Sequence, residues 1–153
     1  MRKNLALIAA LLAAALAGCA EYPFMPEKGP DPQRPRVSTD GRTIAVDQEL
    51  LIFRKGREPV SVSWSLPADG PWRFVPERGI VIEGRLTEGL QRGERPAVLL
   101  DPKQDEIVGC AADEKRLTYT CTNKRSRFGI YKYTIRITDG NRIIERDPLI
   151  SNW

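Results

Sequence analysis

Residues 129–141 read GIYKYTIRITDGN, the clearest strand-and-turn signal in the chain. Apolar and polar side chains alternate from Tyr131 to Ile137, so this segment predicts a strand with one buried face. The next three residues, Asp139-Gly140-Asn141, favour a tight turn with positive φ. We therefore expect a β-hairpin in which Ile144 lies opposite Ile137.

The same register predicts where the returning strand ends. Arg146 would face the core opposite Ile135, and a charged side chain is costly to bury there. We therefore expect a bulge or a strand end near Asp147-Pro148.

The rest of the chain from about Thr39 shows the same period-two pattern in shorter pieces. In residues 60–66 apolar side chains alternate with serine, which predicts that Trp64 lies in the core. Further strands, separated by Gly- and Pro-rich turns, are predicted at 43–46, 50–53, 72–75, 79–83, 97–100, 106–110 and 117–122. Residues 84–96 are polar and glycine-rich and predict a loop or irregular edge, with a broken strand around Leu86 and Leu90 as the alternative. The sequence thus favours an all-β fold, an antiparallel β-sandwich.

The late strand is similar to that of Ig-like and PKD-type sandwiches. The resemblance rests on Gly129-Ile-Tyr131-Lys-Tyr133. In such folds a tyrosine packs inward and its hydroxyl ties a corner of the sandwich. The resemblance implies an Ig-like or PKD-like architecture, with that role for Tyr131 or Tyr133.

The first residues have the layout of a secretory signal. Arg2 and Lys3 precede an apolar run from Leu5 to Ala17, which is shorter than the roughly 20 residues that span a bilayer. The run ends in Leu16-Ala17-Gly18-Cys19, which resembles the lipobox of bacterial lipoproteins. That resemblance implies a diacylglyceryl group on the Cys19 thiol, cleavage before Cys19 and acylation of the new amino group. The alternatives are an ordinary signal peptide and a buried apolar helix.

The lipobox resemblance also implies a location. In lipoproteins, Asp directly after the modified cysteine favours retention in the inner membrane, whereas this chain has Ala20. The implied location is the outer membrane, with the domain facing the periplasm. The inner membrane and the cell surface remain alternatives.

Composition then divides the chain into three parts. Residues 1–18 are the predicted signal peptide, residues 19–38 a lipidated Pro-rich tether and residues 39–153 a single sandwich domain. Five prolines between 23 and 35 favour an extended tether. A Pro-rich ligand for aromatic grooves is the alternative.

Charge and cysteine content fit an exported domain. Removing the leader takes two of the 24 basic residues and none of the 20 acidic ones, which leaves a net charge of +2. A domain with so small a net charge lacks the basic patch expected of a nucleic-acid binder.

The cysteine count also fits an exported domain. If Cys19 carries lipid, only Cys110 and Cys121 remain, and an oxidising compartment predicts a disulfide between them.

The sequence offers little for catalysis or for metal and cofactor binding. The chain has no histidine, which excludes Ser-His and Cys-His nucleophile pairs and weakens any zinc site. The sequence therefore predicts no enzyme, no metal and no cofactor. The acidic residues Asp101, Asp105-Glu106, Asp113-Glu114 and Asp139 lie in predicted turns. A hydrolase with two of these as an acid–base pair is the lowest-ranked hypothesis.

Two features predict a partner surface. Lys124, Arg125 and Arg127 form a basic cluster suited to an anionic envelope component, and Trp72 follows Gly70-Pro71 and is a candidate for glycan stacking. For the basic cluster the alternative is a solvated loop. For Trp72 the alternative is packing in the core or in a turn.

The leading functional hypothesis is a non-catalytic envelope lipoprotein that acts as a binding or scaffolding module. The alternative is an inhibitor or ligand-binding protein acting on an envelope hydrolase or glycan, through residues 84–93 or 124–127. Tyr119-Thr120-Cys121 is similar to the cysteine strand of periplasmic lysozyme inhibitors, although the Ser-Gly-x-x-Tyr loop of that family is missing.

Overall fold

The computed structural model describes residues 30–89 and 97–153. Within these residues all regular secondary structure is β-strand. The twelve strands are β1 (Val37–Thr39), β2 (Ile44–Val46), β3 (Leu50–Phe53), β4 (Val60–Ser65), β5 (Arg73–Phe74), β6 (Ile80–Gly89), β7 (Ala97–Asp101), β8 (Ile107–Ala112), β9 (Thr118–Asn123), β10 (Gly129–Thr138), β11 (Ile143–Arg146) and β12 (Leu149–Asn152). The predicted all-β class is confirmed.

The strands form two facing sheets and one small ribbon. The larger sheet has the order β3-β12-β10-β6-β7, with β5 and β11 also paired to β10. The smaller sheet has the order β4-β9-β8, and β1 pairs with β2 alone. All strand pairs are antiparallel except β3 with β12. The result is the sandwich-like arrangement that the sequence predicted.

Strand β10 is the centre of the larger sheet, as its sequence pattern indicated. Its apolar side chains Tyr131, Tyr133, Ile135 and Ile137 are all buried. One edge of β10 pairs with β6 and β5, and the other pairs with β12 and β11. A ten-residue strand can serve four partners because each partner covers only part of its length.

The predicted hairpin register is confirmed. Ile137 pairs with Ile144 and Ile135 with Arg146. Strand β11 ends at Arg146, where the charge predicted a strand end. Arg146 is exposed and its guanidinium lies 2.6 Å from the carboxylate of Glu49, so it contributes nothing to the core.

The core lies between the two sheets. Trp64 of β4 is fully buried, as predicted, and its indole Nε1–H donates to the hydroxyl oxygen of Tyr133 at 3.2 Å. Phe74 packs edge-on against Tyr119 with ring centroids 5.6 Å apart. Both tyrosines pack inward as predicted, but the hydroxyl of Tyr133 bonds to the indole of Trp64 across the core and not at a corner of the sandwich. Burial raises the pKa of Tyr133 strongly, and the bond from Trp64 lowers it by less.

Two sequence predictions about element boundaries were wrong. Residues 84–89 are not a loop, since β6 continues to Gly89 and pairs with β7, so the alternative of strand structure around Leu86 is the correct one. Gly84 marks a bulge where the β6–β10 register shifts, and its φ of 149° is a conformation that favours glycine. The glycine that suggested a loop therefore lies within a strand.

The folded part also begins before Thr39. Val37 is 1% exposed, and the amides of Ser63 and Ser65 donate to the carbonyls of Gln33 and Pro35. Residues 33–36 therefore cover the free edge of β4. Proline is compatible with this position because its carbonyl still accepts a hydrogen bond. The sequence analysis also predicted no strand at Leu149–Asn152, where the structure has β12.

Candidate functional site

The predicted surface residues lie at opposite ends of β10 and do not form one site. Lys124, Arg125 and Arg127 follow β9, whose last residue, Asn123, bonds to β12 beside the start of β10. Trp72 precedes β5, which pairs with the last residues of β10. Ten strand residues span about 33 Å. The two features therefore belong to separate surfaces.

The basic loop is organised by a buried carboxylate, Glu106, which is 2% exposed. Its side-chain oxygens accept hydrogen bonds from the amide and hydroxyl of Ser126 and from the amide and Nε of Arg127. Its backbone carbonyl accepts from the amide of Lys124. A buried carboxylate is stable only when it is paired and hydrogen-bonded, and Glu106 meets both conditions.

The neighbouring acid, Asp105, neutralises much of the remaining charge. Its carboxylate pairs with the guanidinium of Arg127 and lies 3.7 Å from Nζ of Lys124. The guanidinium of Arg125 donates to the carbonyl of Glu58. The three predicted cations thus have partners within the domain, which reduces their availability to a ligand.

Trp72 lines a cleft with a volume of about 400 Å³ at the other end of the sandwich. Residues 38–41, 66–67 and 69–72 form its lining. Trp72 is half-buried, and the guanidinium of Arg142 lies 5.7 Å from its ring centroid. Prolines 67 and 71 beside an indole make a shallow apolar cleft with a cation at its rim.

The acidic residues that the sequence placed in turns behave mainly as turn residues. Oδ1 of Asp101, Asp113 and Asp139 each accepts hydrogen bonds from backbone amides two to five residues further along. The backbone amides of Asn141 and Arg142 hold the pKa of Asp139 below its ordinary value. Asp105 and Glu106 are the exceptions, because Asp105 forms ion pairs with Arg127 and Lys124 and the carboxylate of Glu106 is buried.

A second acidic cluster lies on the outer face of the larger sheet and was not predicted. The hydroxyl oxygen of Thr134 is 2.9 Å from Glu83 and 2.8 Å from Asp147. Lys132 lies 2.9 Å from the other oxygen of Asp147, and its hydrogen bond is the main cause of the lowered pKa of that carboxyl. A general acid would need a raised pKa instead. This cluster has the character of an ion-pair network.

The same outer face is apolar towards the start of β10. Strand pairing sets Ile52, Ser151 and Ile130 side by side across three strands. Ile52 is 53% exposed and Ile130 37% exposed. Phe128 and Trp153 follow in the next row, with ring centroids 5.5 Å apart. An exposed apolar patch of this kind is typical of a contact surface.

Strand β7 is a free edge within the described residues. It ends the larger sheet, and its consecutive residues Val98, Leu99 and Leu100 are 67%, 51% and 43% exposed. Natural edge strands usually carry charge, proline or a covering element, because unpaired backbone groups invite pairing with another chain. Val98–Leu100 carry neither charge nor proline, and no element within the described residues pairs with their outer edge; the one charged residue of β7 is Asp101 at its end.

The predicted disulfide between Cys110 and Cys121 is present. It joins the neighbouring strands β8 and β9, with Cα atoms 4.1 Å apart. Cys121 is fully buried in the core, while Cys110 is half-buried. Cys19, the predicted lipidation site, lies outside the described residues, as do positions 90–93 of the predicted 84–93 loop.

The described residues contain neither a metal-binding cluster nor a membrane-spanning helix. They hold no group of three His, Cys, Asp or Glu side chains placed to bind a metal ion. No helix in residues 30–89 or 97–153 is long and apolar enough to cross a membrane.

Comparison with known proteins adds no assignment. The chain matches no protein-family model, and a search of the curated proteins finds no similar sequence. The sandwich, its free edge and its exposed patch therefore carry the functional argument.

Sequence reasoning missed the free edge, the outer apolar face and Glu106. The run Ala97-Val-Leu-Leu100 held a signal for the edge, because consecutive apolar residues in a strand place apolar side chains on both faces. The run Leu50–Phe53 held the same signal for the outer face. Glu106 held none, since its partners lie 20 and 21 residues away.

Proposed function

We propose that the protein is a membrane-anchored envelope lipoprotein whose sandwich domain binds or scaffolds another envelope protein without catalysing a reaction. The observation that carries the binding proposal is the free edge of β7, with three consecutive exposed apolar residues. The leader, with its lipobox-like Leu16-Ala17-Gly18-Cys19, supports the anchor. Two or three acyl chains suffice for stable attachment, whereas a single chain is marginal.

The edge favours a partner that supplies an extended segment. Such a segment adds a strand to the sheet, and main-chain hydrogen bonds then give affinity while alternate side chains give specificity. Leu99 lies on one face of β7, and Val98 and Leu100 lie on the other, so an added strand would find apolar contacts on both sides.

Photo-cross-linking in the cell tests the binding proposal. A photoreactive residue at Leu99 should give one discrete adduct, and the substitution Val98→Lys should remove it, because a charge on the edge opposes strand addition. The matched control is a photoreactive residue at the exposed Lys115, at the far end of the sandwich. No adduct at position 99, or the same adduct at both positions, argues against the proposal.

Fatty-acid labelling tests the anchor separately. Labelled palmitate should enter the wild-type protein and be lost in Cys19→Ser. The double variant Cys110→Ser/Cys121→Ser is the control and should keep the label. A label that survives Cys19→Ser, or no label on the wild type, refutes the anchor without bearing on the β7 edge.

A second candidate function is favoured by the cleft at Trp72. A cleft of about 400 Å³ lined by an indole and two prolines suits a small ligand or a glycan ring. In that case Trp72→Ala should abolish saturable binding to peptidoglycan or to a lysozyme, while Trp153→Ala should not. If the protein binds neither peptidoglycan nor a lysozyme, the scaffold proposal is preferred.

A further inference from the structure

The loop between β3 and β4, residues 54–59, is rich in positive charge. Arg54, Lys55 and Arg57 are exposed, and none of them forms an ion pair within the described part of the chain. Lys124 and Arg127 nearby differ, because each is paired with Asp105. Arg125 donates to the neutral carbonyl of Glu58 and likewise forms no ion pair with another described residue. The unneutralised positive charge at this end therefore comes mainly from the β3–β4 loop, and Arg125 is the one contribution of the basic cluster that the sequence singled out.

Backbone hydrogen bonds hold this loop against the aromatic residues of the outer face. The amide of Lys55 donates to the carbonyl of Trp153, and the amide of Gly56 donates to the carbonyl of Arg125 at 3.3 Å. Trp153 contacts Phe128, and the two are 62% and 56% exposed. We call these five residues, Arg54, Lys55, Arg57, Phe128 and Trp153, the basic–aromatic end.

The other end of the sandwich lacks this character. Its turns, at residues 40–43, 67–78, 113–116 and 139–142, carry equal numbers of acidic and basic side chains. The β3–β4 loop has three cations and one acid, Glu58. The charge asymmetry therefore runs from one end of the strands to the other.

We infer that the basic–aromatic end docks on an anionic phospholipid surface. The three loop cations, which are exposed and unpaired among the described residues, are complementary to lipid phosphates, and each Lys or Arg near such a surface contributes about fivefold to binding. Tryptophan favours the headgroup level of a bilayer, which suits Trp153, and Phe128, Ile52 and Ile130 extend the apolar contact beside it.

A second copy of the chain fits this end less well. A two-fold interface places the same patch on both sides, so the three cations of one copy would approach those of the other. Like charges brought together cost free energy, whereas an anionic lipid surface meets them with opposite charge.

The inference deepens the proposed function but does not depend on acylation of Cys19. Only ten residues separate Cys19 from Pro30, a reach of at most about 35 Å. In an acylated protein, docking would orient the domain close to the bilayer. In a protein without acyl chains, it would be a reversible, salt-sensitive contact.

Fluorescence quenching by brominated lipid tests the docking. The mature protein is mixed with vesicles of brominated phosphatidylcholine that contain phosphatidylglycerol, and the emission of Trp153 is taken as the difference between wild type and Trp153→Phe. This emission should be quenched, because Trp153 would lie at headgroup depth, while the buried Trp64 should be unaffected. The triple variant Arg54→Gln/Lys55→Gln/Arg57→Gln should lower the ratio of docked to undocked protein about 100-fold.

The matched control removes three exposed cations from the other end, as Arg42→Gln/Arg78→Gln/Lys115→Gln, and should leave the quenching unchanged. No quenching with phosphatidylglycerol, equal quenching without it, or a dimer in sedimentation that the triple variant abolishes would overturn the inference. The mass of the same sample reports acylation of Cys19, so failure of the anchor and failure of docking are distinguishable.

Discussion

A pair of buried asparagines joins the two sheets at the residue scale. The side-chain amide of Asn123 donates to Asn152 at 2.8 Å, and that of Asn152 donates back at 3.0 Å. Asn123 is the last residue of β9 in the smaller sheet, and Asn152 is the last residue of β12 in the larger one. Both are at most 1% exposed, so each satisfies groups that water cannot reach.

We predict that Asn123→Ala lowers the free energy of unfolding by about 1–3 kcal/mol, because it leaves the buried amide of Asn152 without its partner. Urea denaturation measures this change. The control is Asn141→Ala in the exposed hairpin turn, which should change stability by less than about 0.5 kcal/mol. Equal costs for the two variants would mean that the pair is not structurally important. The double variant Asn123→Ala/Asn152→Ala should cost less than the sum of the single ones.

The sequence allowed the apolar core residues to be predicted but not the buried polar ones. Trp64 and Tyr133 could be placed in the core because each lies on the apolar face of an alternating strand. Asn123 and Glu106 could not, because a buried polar residue is explained only by its partner. Those partners are brought close by the fold and are distant in the sequence.

At the element scale, the main miss was the length of β6. Gly84 and the polar residues after it suggested a loop, yet they continue the strand through a bulge. A glycine can mark either a turn or a bulge, and the pairing partners decide which. The partners here are β10 and β7, one of which lies more than forty residues away in the chain.

Gly84 should tolerate no side chain. A Cβ there would lie 2.3 Å from the carbonyl oxygen of Asp101, at a φ that favours glycine. We predict that Gly84→Ala costs about 2–4 kcal/mol in urea denaturation, from strain and overpacking together. Gly109→Ala is the control: its φ is also positive, at 64°, but a Cβ would meet nothing within 4 Å, so about 1 kcal/mol is expected. A smaller cost at 84 than at 109 would contradict the bulge interpretation.

The β8–β9 disulfide should contribute modestly to the free energy of unfolding, because it closes a loop with a sequence separation of only 11. We predict that Cys110→Ser/Cys121→Ser lowers the free energy of unfolding by about 2–3 kcal/mol. Reduction of the wild-type protein should reproduce the loss, and reductant should not affect the double variant. A reductant effect on the variant would point to a cause other than this bond.

At the scale of the whole molecule, stability should be flat near neutral pH. The chain has no histidine, the usual source of titration between pH 5 and 8. The pKa values of Asp40, Asp139 and Asp147 are lowered from 3.8, mainly by hydrogen bonds from Thr43, Asn141 and Lys132 respectively. A lowered pKa in the folded state gives stability that is present above 3.8 and lost as the pH falls below it.

Above about pH 9 the dependence on pH is reversed, and stability falls as the pH rises. Burial raises the pKa values of Tyr119, Tyr131 and Tyr133 above 10.0. Their contribution is complete below pH 10 and is lost as the pH rises further. The urea midpoint should therefore stay constant from about pH 5 to 9 and fall on both sides. Asp147→Asn should make the acid limb shallower, and a midpoint that changes steeply between pH 6 and 8 would contradict this account.

The architecture of the domain followed from its sequence more fully than its surfaces did. Alternation in β10 and β4 predicted a sandwich, because burial of one strand face is a local property of the sequence. The free edge of β7 and the basic–aromatic end depend on which strands lie last and which loops meet. The structure joins Arg54 and Lys55 to Phe128 and Trp153, residues that are far apart in sequence.

The central proposal is that lipid on Cys19 holds this sandwich at a membrane. The most direct test is the mass of the N-terminal peptide of the mature protein isolated from cell membranes. The account predicts a peptide that begins at Cys19 and carries a diacylglyceryl group and an N-linked fatty acid. A peptide that begins elsewhere, or one that contains an unmodified Cys19, would contradict it.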